Sequence, residues 1–429
     1  MTVDTAEAEG ELRDALARLL REHCDIEQVR GIAAAPGGWD RELWSELAAM
    51  GVVGLAAPPE HGGEGAGLAL LAVAQEELGR RLAPVPLLSS ATAQAALLAV
   101  VAGGAPGATA AGALLPAIAS GRSPATVAVG RTVDGWTPLA TVRAEEAAGG
   151  WRLTGTAPVV ADATAARVLL VAATTGTGPA LFAVDVPAPT GGGDGDGAGG
   201  GDGAPGGDGA ADGGAGGAGG GGAVGSQGGF AQAVVGVEPL DVLDATRPLA
   251  RVTLDTPATL LAGPAAFAGV LAATRRVALT LLAAEAVGVS VYCTELAVDY
   301  AGIRHQFGRP IGTYQAISHR CADMFVGTEA ARALVAAAAQ ALDEAGGPAD
   351  GPADAGELDV AVALAAAEAL DAGVGAAQGS LQVHGGIGFT WEHPVHHYLR
   401  RAKSSEALIA APDRLREQAA SRLVAAARR

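Results

Sequence analysis

Aromatic side chains make up only 3% of this 429-residue chain, and it has three cysteines. Cores with so few rings must be filled by Ala, Leu and Val, which favours packed helices. Cys24, Cys293 and Cys321 are widely spaced, with no Cys-x-x-Cys and no metal-ligand pattern. Neither a disulfide framework nor a zinc site is expected, and a reducing cytoplasm suits the chain. Positive charge is scarce too. The 28 Lys+Arg against 46 Asp+Glu leave a formal net charge of −18, which argues against a nucleic-acid partner whose phosphates need neutralising. The opening "MTVDTAEAEGELRDAL" has acidic residues where a signal peptide needs a basic and then an apolar region, so no export is expected. His393, His396 and His397 crowd around Pro394, but no second cluster offers convergent ligands. Hydrogen bonding at a helix start is expected there, and no metal.

One stretch lacks charge altogether. No ionisable residue lies between Arg81 and Arg122, and "LLSSATAQAALLAVVAG" is nearly long enough for a membrane span. Ser, Thr, Gln and Gly interrupt it, and a buried Ala-rich helix explains it, so no membrane is expected. What is present organises into three parts, and 49% hydrophobic content over this length allows more than one compact domain. Residues 1–124 have helical apolar spacing, as in "ELRDALARLL" and "LALLAVAQEELGRRL", and read as an all-α domain. Residues 125–262 carry short β-type runs, "ATVAVG", "RVLLVAA", "ALFAVDV" and "ARVTLD", and read as a small β domain. Inside it, Thr190 to Gly229 is a tract of Gly, Ala and Asp that cannot bury enough apolar surface to fold; it is expected to be a disordered insertion. Asp194, Asp196, Asp202, Asp208 and Asp212 follow no nonapeptide period, so a calcium-binding repeat is not supported. Residues 263–429 return to long helices, which suggest an antiparallel four-helix bundle and an α+β fold class overall.

Three segments, "LWSELAAMGVVGLAAPPEHGGEGAGLALLAVAQEELGRRL", "YAGIRHQFGRPIGTYQAISHRCADM" and "QVHGGIGFTWEHPVHHYLRRAK", resemble the acyl-CoA dehydrogenase family in the same order and at similar spacing. The resemblance covers nearly the whole chain outside the Gly-rich tract. It implies an FAD flavoprotein with an N-terminal α domain, a middle β domain and a C-terminal four-helix bundle. Such a protein desaturates acyl-CoA thioesters at the α,β carbons, passes electrons to an electron-transfer flavoprotein, and works as a homo- or hetero-oligomer. The resemblance also assigns residues. Arg304, Phe307 and Gln315 stand where the family holds the pyrophosphate and adenine end of FAD. Gln382, Gly385 and Gly386 stand in a turn that meets FAD bound by a neighbouring subunit. Physically, a turn that ends one helix at Arg304 and begins another near Ile317 aims backbone N–H groups and a guanidinium at one point, which suits a diphosphate. Either motif alone reads better as a plain helix–helix loop; together, inside this architecture, they favour FAD.

The chemistry also needs a carboxylate to take the α-proton while hydride leaves the β-carbon for flavin, with its pKa raised by an apolar wall. The resemblance puts this Glu six residues past the Lys of Arg-Asp-Ala-Lys, or on the first bundle helix. Those positions are Ile409 and Ala278, so both expected bases are absent. The Thr-Glu-Pro loop beside the flavin has no counterpart between Thr126 and Trp151, and the Trp-Ile-Thr strand is Val159-Val160-Ala161. Two carboxylates could substitute. Glu285, two helical turns beyond Ala278 in an apolar stripe, would be desolvated and is the candidate catalytic base; its alternative is a buried Glu paired with an Arg of a neighbouring helix. Glu406, one turn before Ile409, reads also as a solvated partner of Lys403. Arg247, in "DATRPL", reads as structural. Three functions stay open: a dehydrogenase with a displaced base, a non-catalytic subunit completing the cofactor site of a catalytic homologue, and a flavin- or CoA-binding scaffold. The joint absence of base and ring contacts, with the adenine-end motifs kept, favours the mixed oligomer.

Overall fold

A computed structural model describes residues 5–132, 135–147, 149–187, 234–346 and 355–428; the Gly/Asp-rich tract 190–229 lies outside them. Six helices come first: α1 (Thr5–His23), α2 (Ile26–Ala34), α3 (Arg41–Ala49), α4 (Leu68–Arg81), α5 (Leu87–Ala102) and α6 (Ala108–Ala119). The uncharged stretch forms α5 and α6. Most of α5 is buried, Leu87, Leu97 and Val100 completely, and each such side chain contributes about 1.5–3 kcal/mol through its removal from water.

Among the described residues nine strands follow: β1 (Ala125–Ala128), β2 (Gly130–Thr132), β3 (Gly135–Thr137), β4 (Val142–Ala147), β5 (Gly150–Ala161), β6 (Val168–Thr175), β7 (Gly178–Asp185), β8 (Val234–Pro239) and β9 (Leu249–Ala262). The main sheet runs β1-β6-β4-β5-β9-β7, with β8 on β9. Because β7 also pairs antiparallel with β6, the sheet closes on itself, and Leu153, Val171, Phe182 and Val252 fill its interior. Strands β2 and β3 form a separate hairpin.

The 40-residue α7 (Pro264–Ile303) opens with Pro at its first turn, where a missing N–H costs nothing. After it come α8 (Gln315–Glu344), α9 (Ala355–His384), α10 (Val395–Leu408) and α11 (Pro412–Ala427). The N-terminal helices and the bundle share one core: Leu16, Leu47 and Leu78 belong to the same cluster as Leu282, Val335 and Leu370. Helices α4 and α7 cross with their backbones almost touching. A Cβ on Gly79 would lie 2.3 Å from the Glu285 carbonyl oxygen, and one on Gly288 would lie 1.9 Å from that of Glu76. Only glycine fits such a crossing, and the approach brings the side chains of α4 up to Glu285. By length and apolarity alone α7 could cross a membrane, but 94% of its apolar window is buried inside the protein.

Candidate functional site

Where α5, the closed sheet, α7 and the end of α10 meet lies a cavity of about 70 Å³, small beside the roughly 300–1,000 Å³ of typical ligand pockets. Ala278 and Ile409 both line it. The two positions where the resemblance expects a carboxylate therefore converge on one space, and both are apolar and buried. Val159 and Ala161 form another part of the wall, offering no side-chain hydrogen bond where the family has Trp and Thr. Arg131, from the β2–β3 hairpin, also lines the cavity and donates to the Leu408 carbonyl at 2.6 Å, tying the hairpin to the last turn of α10.

Glu285 corrects an expectation. It is buried, but its surroundings are not apolar. Arg247 Nη2 donates to Glu285 Oε1, Arg401 Nη1 lies 3.2 Å from the same oxygen, and Gln75 Nε2 donates to Oε2 at 3.0 Å. Burial alone would push this carboxyl up; the two guanidiniums and their hydrogen bonds outweigh it and hold the carboxyl below its ordinary range. A base is expected to be raised toward the working pH, and Glu285 moves the other way. The alternative reading of a buried Glu paired with an Arg of a neighbouring helix matches the contact with Arg401 on α10.

Arg401 explains why. In Arg400-Arg401-Ala402-Lys403 it stands where the family motif has Asp. A buried guanidinium requires carboxylates, and it takes Asp244 (Nε to Oδ2, 2.5 Å) and Glu285, with Thr246 accepting from Nη2 at 2.6 and 2.9 Å. Asp244, like Glu285, is pushed up by burial but held low by Arg401 and Arg247. Glu406 pairs with Lys403 at 2.9 Å on the surface of α10.

Sequence reasoning missed Asp162. It follows Val159-Val160-Ala161, lines the same cavity, and is 7% exposed with a left-handed φ of 53°, a conformation Asp and Asn tolerate better than most residues. Ser89 Oγ, on α5, donates to its Oδ2 at 2.5 Å, and burial pushes the carboxyl up to about 6. The signal available in sequence was an acid directly after the altered Trp-Ile-Thr segment.

The other assigned residues gather at the opposite end of the bundle, on the surface. Helix α7 ends at Ile303, and a two-stranded hairpin follows, β10 (His305–Gln306) with β11 (Arg309–Pro310); the plain turn expected before α8 is thus more structured. Phe307 (φ 50°) and Gly308 (φ 79°) form its tip, and Phe307 is 91% exposed. Arg309 stacks over Tyr314, 4.2 Å from the ring centroid. Helix α8 starts at Gln315 with no side-chain cap; Ile317 and Ser318 donate to the Tyr314 carbonyl, which leaves the amides of Gln315 and Ala316 at the positive dipole end of the helix. Arg304 and Gln315 are exposed. The C-terminus of α9 joins this end: Tyr300 stacks on His384 at 4.5 Å, just before Gly385 (φ 60°) and Gly386, where a Cβ would meet nothing within 4 Å, and Gln382 is exposed. Ile303, Phe389 and Trp391 leave an apolar surface around these groups.

These residues fit the diphosphate and adenine end of FAD. They supply a guanidinium, an uncapped helix N-terminus, side-chain amides and glycines that admit close approach. The interior cavity does not fit the ring end, being small and presenting Val159, Ala161, Ala278 and Ile409 where the family has its ring contacts and base, although Ser89, Thr92, Thr126, Arg131, Asp162 and Arg247 also line it. The histidines beside the exposed turn pack ring against tilted ring, His384 with His393 at 4.2 Å and His396 with His397 at 4.1 Å between centroids, and Arg30 Nε donates to His397 Nε2 at 2.8 Å. Burial and neighbouring rings push His393 and His397 each down to about 4. Among the described residues no group of three or more His, Cys, Asp or Glu could hold a metal ion.

The family model for the acyl-CoA dehydrogenase N-terminal domain matches residues 6–122, and that for the C-terminal domain residues 272–423. Acyl-CoA dehydrogenase IpdE2 of Mycobacterium tuberculosis is 30% identical over 404 residues, 94% of this chain and 92% of its own. Among solved structures, the Tcur3481-Tcur3483 steroid ACAD (G363A variant) superposes with a TM-score of 0.76 at 29% identity, over 99% of this chain and 100% of that one. The ChsE4-ChsE5 complex of Mycobacterium tuberculosis gives 0.72 at 24% identity, over 100% and 97%, a likeness of fold.

Proposed function

The chain belongs to the acyl-CoA dehydrogenase family of FAD-dependent oxidoreductases, and we propose that it serves there as one subunit of a mixed oligomer. Its exposed bundle end holds the diphosphate and adenine of an FAD whose ring and catalytic carboxylate lie with a homologous partner chain. The reaction served is α,β-desaturation of an acyl-CoA, with an electron-transfer flavoprotein as the electron acceptor. Bound FAD supplies the hydride acceptor. This chain's Arg304 guanidinium and the N-terminal amides of α8 neutralise the diphosphate, Gln315 and Gln382 offer amides, and Gly385 and Gly386 let backbone approach.

One observation carries this reading. The two base positions, Ala278 and Ile409, bring apolar side chains to one small cavity, while the cofactor-facing donors stand exposed on the other end of the bundle. The two-chain names of the steroid ACAD and of the ChsE4-ChsE5 complex support it, the latter as a likeness of fold. Likeness to a steroid ACAD also supports a bulky acyl group as the substrate of the assembled enzyme. A second reading, desaturation by this chain alone, would require Asp162 to take the α-proton, since its carboxylate lines the cavity. Flavin content and acyl-CoA-dependent flavin bleaching separate the two, measured on the chain expressed alone and beside a homologue carrying the usual Glu. Flavin and bleaching only in the mixture are expected. A chain that bleaches alone, and loses this on Asp162→Asn, would establish the second reading.

A further inference from the structure

Asp162 belongs to a buried cluster drawn from all three parts of the chain. Ser89 comes from α5 and Gln75 from α4. Asp162 follows β5, and Asp244, Thr246 and Arg247 precede β9; Glu285 lies on α7 and Arg401 on α10. Three carboxylates, Asp162, Asp244 and Glu285, face two guanidiniums, Arg247 and Arg401, and each of the five residues is at most 7% exposed. The pairs are already made. Arg401 bridges Asp244 and Glu285, and Arg247 holds Glu285. Asp162 is left with only a neutral donor, Ser89 Oγ. It also forms wall shared by the cavity of about 70 Å³ and a second one of about 10 Å³ that Gln75, Arg247, Glu285 and Arg401 line. The smaller is at the lower limit for one water, ~10–15 Å³. When Asp162 is protonated the cluster is neutral. When it is ionised, a third negative charge sits out of water among two positive ones; loss of hydration is the main cost, Glu285 adds to it, and Ser89, Arg247 and Arg401 only partly offset it.

We propose that Asp162 makes this joint a pH-dependent coupling between the three parts of the chain, tight while its carboxyl keeps the proton and loosened when the proton is lost. The groups facing it are Ser89 from α5, Arg247 from the segment before β9, Glu285 from α7 and Arg401 from α10; His397 on α10 senses Asp244 on the far side of the cluster. Burial raises the Asp162 carboxyl from an ordinary 3.8 to about 6, so the folded state disfavours its ionisation by about a hundredfold. The sign follows. A folded-state value above the unfolded one gives stability that is full below about pH 4 and lost as pH rises through about 6. Loosening therefore sets in toward neutral pH, and it needs no cofactor.

The test is equilibrium unfolding of the full chain from pH 4.5 to 8, with hydrogen exchange on α5 and residues 240–248. Asp162→Asn keeps shape and tolerates the left-handed backbone but cannot ionise. Its folded-to-unfolded ratio relative to the parent should climb with pH by an order of magnitude or more and then level off, and the pH-dependent opening of α5 and 240–248 should disappear. Ser89→Ala removes the hydroxyl that favours the ionised form, so it should move the parent's pH response upward. A relative ratio that stays flat across this range would overturn the proposal, as would an Asp162→Asn chain that fails to fold at any pH. A Ser89→Ala response unmoved from the parent's would count against it equally.

Discussion

The interior junction and the exposed end of the bundle use the same side chains in opposite ways. At the junction the Arg401 guanidinium is saturated, with Asp244, Thr246 and Glu285 around it. At the bundle end the Arg304 side chain makes no hydrogen bond or ion pair among the described residues. Gln75 donates to Glu285 inside; Gln315 and Gln382 face outward. Buried charge in this chain holds domains together, and charge left unpaired on the surface is what remains available to a ligand. Position 401 decides the interior. Arg where the family motif has Asp recruits Glu285, and a carboxylate held by two guanidiniums is a poor proton acceptor at neutral pH.

The contrast would break first at Glu285. Replacing it by Ala leaves Arg247 and Arg401 short of a carboxylate, and the chain should lose about 3–5 kcal/mol in urea unfolding at pH 7.5; a loss below about 1 kcal/mol would mean the junction is not an ionic lock. A pH titration sharpens the same point. Glu285 and Asp244 are held below their ordinary 4.5 and 3.8, so their contribution is present above those values and lost as pH falls through the folded-state ones. Acid unfolding should therefore begin below about pH 4.5, with a shallower acid limb in Glu285→Gln. Asp343 offers a smaller effect. Its carboxylate accepts from the Leu68 and Ala69 amides at 2.6 and 2.9 Å, capping α4 from the end of α8, and Asp343→Ala should cost about 1 kcal/mol. The smallest change belongs to the exposed end, where Phe307→Ala should alter the isolated chain's stability by less than about 0.5 kcal/mol. A larger loss there would erase the distinction between the two regions.

Much of the fold was legible because periodicity is local. The uncharged stretch became α5 and α6, and the short β-type runs became β1, β6, β7 and β9. Strand β5 was harder. Gly155 and Pro158 interrupt its alternation, and its pairing with β9 shifts register between Ala157 and Val160. The exposed end was readable because Gly and Pro punctuate it, although the short hairpin inside "RHQFGRPIG" was not. The junction was unreadable because its partners are distant in sequence. Arg247 is 38 residues from Glu285, and Ser89 is 73 from Asp162. Helical phase located Glu285 on an inward face, but no pattern within α7 revealed which charges awaited it.

The central claim is that this chain's exposed end, and not its interior cavity, serves the flavin. It is tested most directly by the FAD content of the assembled mixed oligomer when Arg304→Ala is introduced in this chain alone. Each hydrogen bond to a charged group is worth roughly 1.5–3 kcal/mol, so purified complex should lose most of its FAD while the substituted chain stays folded and assembled. Full flavin retention in that complex would contradict the account.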